Sequence, residues 1–310
     1  MQVDQIRHRA KQVLLDRGLR MNLPYAALAA VAETIDIAVR PVQTARRRRL
    51  ANEIRKQSPW KNFIPRSDGY RILTPKEMPG IDRLLAAAQE IAARKVPEAP
   101  KVKPPATFVH MMTAEELTRH PEIIEIATQG PIVEAAADYL GYLPRLYHVG
   151  LWLSRPMPEA SLGSQLYHLD QPDTGMLSLF INVTDVGPGD GPFFFYSAEA
   201  TRRVRTETDY EKRSFVSGDI RGEEFGRLDD DAVERYSGAK PLSMVGPSGT
   251  ALFCDTSVCM HAGSRCETGA RVMLVLRYTP PHRPLFRDDP VLNVAIPDEN
   301  PTRRMVMGRA

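Results

Sequence analysis

Five short apolar segments, each rich in β-branched or aromatic residues, punctuate the second half of this 310-residue chain. They lie at 146–153, 176–186, 193–196, 250–255 and Arg271–Thr279. Turns that contain glycine and proline separate them, most clearly at 188–192 and 246–249. Short strands separated by such turns are typical of β-sandwiches and barrels. The pattern therefore predicts a β core that begins near residue 146.

The first half of the chain has helical patterning instead. Apolar residues recur at helical spacing over 3–18, and Pro24 suits the first turn of an alanine-rich helix that runs to about residue 39. Further helices are predicted at 44–56, 81–94, 113–118, 121–140 and 229–236, with a loop at 58–75. We therefore expect an α+β protein, mainly β with flanking helices, in which a helical region, 1–105, packs on a core, 106–310.

Charge and cysteine content exclude several classes of protein. The net charge of +3 gives no chain-wide excess of positive charge for binding a nucleic-acid backbone. Three cysteines, Cys254, Cys259 and Cys266, form no C-x-x-C pair, and an odd count suits free thiols in a reducing cytoplasm. The most apolar stretch, 25–39, contains acidic residues and is too short to span a bilayer. We expect a cytoplasmic protein without a membrane span or secretory signal.

A metal site is indicated by His168 and Asp170, which would point to the same face of a strand about 7 Å apart. Two histidines and one carboxylate are the ligand set of non-haem iron(II) oxygenases. His261, which lies 93 residues after His168, is the best candidate for the third ligand. Arg271 follows ten residues later at the start of an apolar strand, where burial of an arginine is costly without an anionic partner. Its planar guanidinium suits a carboxylate.

These residues resemble the iron(II)/2-oxoglutarate-dependent oxygenases, and within them the phytanoyl-CoA dioxygenase-like group. The Gly-Pro-Gly-Asp-Gly-Pro turn at 187–192 and the His-Ala-Gly-Ser run at 261–264 add to the resemblance, which covers about 145–280. It implies a double-stranded β-helix core, of the jelly-roll or cupin-like kind, with helices packed outside.

The resemblance also implies the roles of the site residues. His168, Asp170 and His261 would bind Fe(II), and Arg271 would bind the distal carboxylate of 2-oxoglutarate. Gln165 matches a glutamine that contacts 2-oxoglutarate in some members. The reaction would use O₂ to oxidise a small organic molecule, most simply by hydroxylation in specialised metabolism, with release of succinate and CO₂. The carboxylate of Asp170 favours hydroxylation over halogenation.

Other positions are assigned from the residues alone or depart from the family. Asn182 is a candidate for the same 2-oxoglutarate pocket. Met273 stands where many related enzymes have a serine two residues after the arginine, and 193–197 replaces the usual proline-glycine-serine-histidine run. The charged insertion at about 199–240 is predicted to be a lid, because it falls between the two metal-binding segments.

Side chains near the site have plainer predictions. His148 is expected to be a core histidine, whereas His110 and His120 are expected to be surface or capping groups. Arg277 has two equal interpretations, as a substrate contact or as the partner of an acid at the barrel rim. Tyr167, in the metal segment, and Trp152, in the first predicted strand, are predicted to be packing residues that at most lie at the edge of the pocket.

Three alternatives remain open from the sequence. The first is a cupin-like protein that binds zinc or another metal without 2-oxoglutarate turnover, although that chemistry gives no reason for Arg271. The second is a scaffold protein with a degenerate barrel, against which all four motif residues are present. The third is a nucleic-acid oxygenase that uses the arginine run at 46–49 to bind its substrate. We interpret this run instead as a solvated helix face, or as a source of ion pairs in a homo-oligomer formed through the N-terminal helices.

Overall fold

The computed structural model describes residues 31, 34–35, 37–101, 106–157, 163–170, 175–208, 210, 226–281, 289–294 and 300–309. The helix predicted at 3–18 lies outside these residues, and so does most of the helix predicted from Pro24 onward. Residues 37–39 are helical, directly before the first helix whose bounds are described in full.

Helices dominate the first half of the described chain, and three more follow in the second half. They are α1 (Pro41–Gln57), α2 (Ile81–Lys95), α3 (Ala114–Arg119), α4 (Pro121–Ala127), α5 (Gly130–Leu140), α6 (Ala198–Glu207), α7 (Asp230–Ser237) and α8 (Pro301–Val306). The predictions at 44–56, 81–94, 113–118 and 229–236 are confirmed to within a few residues. No helix in the described part is long and apolar enough to cross a membrane.

The strands form two antiparallel sheets. They are β1 (Tyr70–Leu73), β2 (Val109–His110), β3 (Arg145–Ser154), β4 (Leu177–Asn182), β5 (Phe194–Phe195), β6 (Leu242–Ser243), β7 (Ala251–Asp255), β8 (His261–Ala262) and β9 (Arg271–Thr279). The larger sheet has the order β1-β7-β4-β9-β3-β2, and the smaller has the order β6-β5-β8. The predicted β architecture with flanking helices is confirmed, its pairing is antiparallel, and β9 has the predicted bounds.

The larger sheet is buried on both faces. On β9, the side chains of Val272, Leu274 and Leu276 pack into a core shared with α2 and α5, whereas Met273 and Val275 pack toward the smaller sheet. This alternation follows from the two-residue period of a strand. The molecule thus has a helical layer, a six-stranded sheet and a three-stranded sheet, and the candidate site lies between the two sheets.

The helix predicted over 121–140 is wrong as a single element. It divides into α4 and α5, because Gln129 is extended and Gly130 has a φ of 70°. Pro131 then occupies the first turn of α5, where its missing N–H is not needed. Gly141 ends α5 in the left-handed conformation, as a helix C-terminus favours.

The segment 58–75, which was predicted to be a loop, contains strand β1. Its four residues pair with β7 at the edge of the larger sheet, with Tyr70 opposite Cys254 and Leu73 opposite Ala251. The flanking glycine and prolines made the segment resemble a loop, and only pairing with a distant strand gives it β structure. Local patterning does not contain that information.

The arginine run of α1 is not simply a solvated face. Arg47 is buried and its guanidinium donates to the backbone carbonyls of Leu143, Pro144 and Met305. Burial lowers the pKa of Arg47 to about 10, so the side chain is still charged at neutral pH. The other three arginines of the run are exposed. Arg47 therefore ties α1 to the start of β3 and to α8, which the sequence did not reveal.

The three cysteines are buried and free, as predicted. Cys254 and Cys259 lie in the apolar cluster between the two sheets. Burial raises the pKa of both Cys254 and Cys266, which keeps these thiols protonated and unreactive.

Candidate metal centre and cosubstrate pocket

The segment that contains His168 and Asp170 is held in place by backbone hydrogen bonds to the β7–β8 region. The backbone N–H of His168 donates to the His261 carbonyl over 2.9 Å, and the His261 N–H donates back over 3.0 Å. The N–H of Asp170 donates to the Thr256 carbonyl over 2.8 Å. The predicted strand here is only an isolated bridge, but it brings the two parts of the motif together.

The three predicted metal ligands converge. One ligand atom from each of His168, Asp170 and His261 lies within 4.8 Å of the others. The carboxylate oxygens of Asp170 lie 3.8 Å from Nε2 of His168 and 3.7 Å from Nε2 of His261. Two imidazole nitrogens and one carboxylate around a common point can hold a divalent transition metal and leave coordination positions open.

Both histidines are prepared to act as ligands. Nδ1 of His168 is 2.8 Å from the Leu166 carbonyl, and Nδ1 of His261 is 3.0 Å from the Cys259 carbonyl. A carbonyl only accepts, so each Nδ1 carries the proton and each Nε2 offers its lone pair. Burial lowers the pKa of both rings, and for His168, with His261 beside it, to about 3. Both are therefore neutral at pH 7, as metal binding requires.

Asp170 is kept ionised by its surroundings. Burial by itself would raise the pKa of this carboxyl group, but Arg277 and the two histidines lower it well below the usual value. Nη2 of Arg277 lies 3.1 Å from Oδ2 of Asp170, in an ion pair whose geometry is not that of an aligned hydrogen bond. Of the two predictions for Arg277, the pairing with an acid is the one observed, and the acid is the predicted metal ligand Asp170.

Arg271 is a buried cation that lacks a counter-ion among the described residues. It is 2% exposed, its Nη2 donates to Ser264 Oγ over 3.3 Å, and its Nε and Nη1 have no hydrogen-bond partner in the described part of the chain. Burial lowers its pKa to about 10, which leaves the guanidinium charged at neutral pH. A charge in this environment is stable only with an anionic partner. The pocket at Arg271 therefore fits a carboxylate, as 2-oxoglutarate would present.

Two serines near Arg271 were not found from the sequence. Ser154, which pairs with Arg271 across β3 and β9, donates through its hydroxyl to Ser264 Oγ over 2.9 Å. Ser264 has a φ of 63°, unusual for a residue other than glycine, which brings its hydroxyl to the guanidinium. These hydroxyls stand near the arginine although Met273 occupies the family's serine position. Only the pairing of β3 with β9 could have identified Ser154.

Gln165 and Asn182 are both buried and already hydrogen-bonded. Nε2 of Gln165 donates to the Ser264 carbonyl over 2.9 Å, beside the Arg271 pocket. Nδ2 of Asn182 donates to the Met244 carbonyl over 3.2 Å. Neither residue lines the cavity described next, and a contact of either with 2-oxoglutarate stays a prediction.

A cavity of about 290 Å³ contains both the metal ligands and Arg271. Its walls are largely aromatic: Phe193 stacks on the His261 ring at 5.2 Å, and Trp152 stacks on Phe108 at 4.7 Å. The remaining lining side chains include four further polar groups. These are His110, His148, Ser164 and Arg277.

The histidines outside the triad agree with their predicted roles in part. His110, predicted to be a surface or capping group, is exposed on β2 and also lines the cavity. His120, with the same prediction, occupies the cap position between α3 and α4, although it is buried beside Glu122. His148 was expected to be a hydrogen-bonded core residue; it has the hydrogen bond, to Asp289, but it faces the cavity. Tyr167 is a packing residue as predicted, against Tyr196.

Two residues of the 199–240 insertion, one on each side of its centre, contact the metal segment. The N–H of Tyr167 donates to the Leu228 carbonyl over 2.9 Å, and Tyr210 accepts from the N–H of Leu169 over 3.2 Å. The centre of the insertion, 211–225, lies outside the described residues. The predicted lid is therefore hydrogen-bonded to the metal segment at Tyr210 and Leu228, and closure over the site stays a prediction.

No family model matches this chain, and no curated protein matches it. Solved structures do. SnoK, a non-heme alpha-ketoglutarate-dependent carbocyclase from nogalamycin biosynthesis, is 16% identical with a TM-score of 0.46, over 74% of this chain and 86% of that one. EctD from S. alaskensis, with 2-oxoglutarate and 5-hydroxyectoine, is 14% identical with a TM-score of 0.46, over 74% and 78%.

HygX from Streptomyces hygroscopicus, with nickel and 2-oxoglutarate bound, is 13% identical with a TM-score of 0.44, over 72% of this chain and 87% of that one. The neighbours named here are 2-oxoglutarate-dependent or hold 2-oxoglutarate. At such identities and TM-scores, the function of this chain has to be inferred from its own site.

Proposed function

We propose that this protein is an iron(II)- and 2-oxoglutarate-dependent oxygenase that oxidises, most simply by hydroxylation, a small organic molecule. One observation carries the proposal: a His-Asp-His triad with neutral, correctly oriented imidazoles shares a cavity with a buried arginine that has no counter-ion among the described residues. The triad suits Fe(II), and the arginine suits the distal carboxylate of 2-oxoglutarate.

Iron(II) held by this triad would supply the oxidation chemistry. In that reaction O₂ is consumed, 2-oxoglutarate is converted to succinate and CO₂, and the second substrate is oxidised. The protein's part is to position these molecules. Asp170 and the two histidines hold the metal, and the carbonyls behind each Nδ1 fix the ring orientations. Arg271 with Ser264 binds and orients the dicarboxylate.

The walls of the cavity favour oxidation of an apolar C–H bond. Phe180, Phe193 and Met273 line it together with the triad and Arg271, and all three side chains are apolar. Apolar walls limit the access of water to the substrate, which would limit side reactions. A zinc-dependent cupin-like protein has no need of Arg271. The pocket at Arg271 is therefore the feature that separates the two functions.

The finer architecture belongs to the same proposal. The two facing antiparallel sheets support a double-stranded β-helix of the phytanoyl-CoA dioxygenase-like kind, with the helical region 1–105 packed on a core at 106–310 and a lid at 199–240. The free cysteines support a cytoplasmic location. Self-association through the N-terminal helices would be tested by size-exclusion chromatography with light scattering.

Metal and 2-oxoglutarate binding tests the proposal without a known substrate. Wild-type protein is titrated anaerobically with Fe(II) and then 2-oxoglutarate by calorimetry, and succinate release is screened against candidate substrates in air. We expect His168→Ala and Asp170→Ala to lose metal binding and succinate formation. His120→Ala is the matched control, since that histidine is buried outside the cavity. Full activity in either ligand variant would contradict the assignment.

A further inference from the structure

His148 is a cavity residue that the proposed reaction does not use, and a β-bulge aims it there. Leu146 pairs with Tyr278 and His148 pairs with Arg277, so β3 has one residue, Tyr147, more than β9 between the two pairs. In a regular strand Leu146 and His148 would share a face. With the bulge, Leu146 stays in the core under the helices, whereas His148 turns to the cavity.

Asp289 fixes the protonation of His148. Its Oδ2 lies 2.5 Å from Nδ1 of His148, and its Oδ1 accepts the N–H of Val291 over 3.0 Å. Burial raises the pKa of Asp289, but the contacts with His148 and Val291 outweigh it and lower the pKa below the usual value. Asp289 is thus a carboxylate that holds the proton of His148 on Nδ1. In the tautomer with its proton on Nδ1, Nε2 is a hydrogen-bond acceptor.

Nε1 of Trp152 and Nε2 of His148 both lie close to Gly150, on the same side of β3. A Cβ atom added at Gly150 would lie 2.5 Å from each of these two nitrogens, closer than side-chain contacts allow. Gly150 lies within β3 and does not have a left-handed φ. A glycine is therefore required at this position because a side chain would not fit, and not because of the backbone conformation. A strand glycine of this kind marks a place where another group approaches closely. Both ring nitrogens therefore face one small region of the cavity side of β3.

The two nitrogens have complementary and unused hydrogen-bonding capacity. Trp152 is 8% exposed, and neither its Nε1 nor Nε2 of His148 has a hydrogen-bond partner among the described residues. The indole N–H can only donate, and the imidazole Nε2 accepts. A hydroxyl group is the smallest group that accepts from the first and donates to the second.

We infer that the substrate carries a hydroxyl group that is bound between Nε1 of Trp152 and Nε2 of His148. The inference rests on the proposed function, because the substrate is the molecule oxidised at the adjoining metal centre. The body of the substrate would be apolar, since Phe108 stacks against Trp152 and Phe180 lines the same cavity. The hydroxyl group thus anchors a hydrocarbon or ring skeleton with a C–H bond toward the metal.

A second cavity extends beyond the histidines. It measures about 450 Å³, shares His110 and His148 with the first cavity, and is lined mostly by apolar groups such as Met112 and Val291. It provides room for the part of the substrate that lies beyond the anchored hydroxyl group. An alcohol larger than the first cavity alone is therefore compatible with the site.

The indole N–H signal of Trp152 offers a direct test. The chain has two tryptophans, so ¹⁵N-labelled protein gives two indole signals, and Trp60→Phe assigns them. Protein loaded with Zn(II), a diamagnetic substitute for iron, and 2-oxoglutarate is titrated with cyclohexanol and with cyclohexanone, which are similar in size. Cyclohexanol both donates and accepts, whereas cyclohexanone only accepts. We expect cyclohexanol to move the Trp152 indole proton downfield and to bind about tenfold more tightly, the effect of one further hydrogen bond.

Variants assign the preference to the pair. In His148→Phe the ratio of the two affinities should fall to about twofold or less. Gly150→Ala should abolish the indole shift with both probes. Asp289→Asn, a conservative change, lets the amide donate to Nδ1 and moves the proton to Nε2, so it should also reduce the preference for the alcohol. His110→Phe is the control, since it changes another cavity histidine and should keep the ratio.

Three results would overturn the inference. These are equal affinities for alcohol and ketone, an unchanged ratio in His148→Phe, and a Trp152 indole signal that cyclohexanol does not move up to its solubility limit. The third result also covers the case in which a bound water already accepts the indole N–H and is not displaced. Calorimetry of Zn(II) and 2-oxoglutarate on the same samples separates the two proposals: its failure contradicts the oxygenase function alone, whereas normal binding without an alcohol response contradicts the hydroxyl site alone.

Discussion

Replacement of Arg271 by methionine should have opposite effects on the free protein and on its 2-oxoglutarate complex. The guanidinium is 2% exposed, and two of its three nitrogens have no hydrogen-bond partner in the described structure. A buried donor without a partner costs roughly 1–3 kcal/mol, and exchange of a buried charge for an apolar side chain of similar length is often stabilising. We therefore expect Arg271→Met to raise the free energy of unfolding of the protein without 2-oxoglutarate by roughly 1–3 kcal/mol.

The same substitution should nearly abolish stabilisation by the cosubstrate. Two charge-assisted hydrogen bonds to the distal carboxylate are together worth about 3 kcal/mol, or roughly a hundredfold in affinity. At a 2-oxoglutarate concentration of about 100 times the wild-type dissociation constant, binding stabilises wild-type protein by about 2.7 kcal/mol. The variant, with a dissociation constant equal to that concentration, should gain only about 0.4 kcal/mol.

Thermal and urea unfolding with and without 2-oxoglutarate, in the presence of Mn(II), would measure both effects. Arg303→Met is the matched control, because Arg303 is equally buried but its Nε donates to Thr128 Oγ1 over 3.0 Å. That variant should lose stability and keep the full response to 2-oxoglutarate. If Arg271→Met is destabilised to the same degree and keeps its response, the argument that Arg271 awaits an anionic ligand is wrong.

Three further perturbations test other parts of the site and fold. Arg277→Gln should weaken Mn(II) binding by about 10–100-fold, because it removes the partner of the Asp170 carboxylate, whereas Arg277→Lys should lose less; equal affinities in calorimetry would contradict this. The pKa of His168 is lowered to about 3 by burial and by His261, so between that value and about 6.5 the unfolded metal-free protein binds more protons than the folded one. Stability should therefore fall as pH decreases through this window, and His168→Gln should reduce the slope of urea-derived stability against pH by up to about 1.4 kcal/mol per unit; an unchanged slope would refute the assignment. Gly130→Ala should cost about 1 kcal/mol in urea unfolding, since φ is 70° and no atom lies within 4 Å of the added Cβ; no loss would mean that the α4–α5 junction is unstrained.

The metal centre was the most predictable part of the molecule because its residues are defined by local chemistry. His168 and Asp170 are two positions apart, and His261 with Arg271 forms a second local pair. Each pair contains residues that are costly to bury unless they serve a ligand. The sequence thus contained both halves of the site, and the His168–His261 bridge in the fold joins them.

Features that depend on pairing between distant strands were not predictable in the same way. Ser154 lies near Arg271 only because β3 and β9 pair antiparallel, and Arg277 reaches Asp170 only because β9 faces the metal segment, which pairs with β8. Strand β1 likewise has no local signal apart from its partner β7. Sequence periodicity gives the faces of a strand, but register gives the neighbours, and one residue of slip changes them all.

His148 shows how much a single register change can decide. Counted from Leu146 with a strict two-residue period, His148 belongs to the apolar face, which is why a core histidine was the natural prediction. The bulge at Tyr147 reverses the parity, so that His148, Gly150 and Trp152 share the cavity face with Ser154. Deletion of Tyr147 would restore the regular pairing and make Leu146 and His148 direct neighbours on opposite faces, so His148 would stay on the cavity side. A regular strand that kept Tyr147 would instead turn either Leu146 out of the core or His148 out of the cavity. The one additional residue therefore lets β3 place Leu146 under the helices and His148 in the cavity.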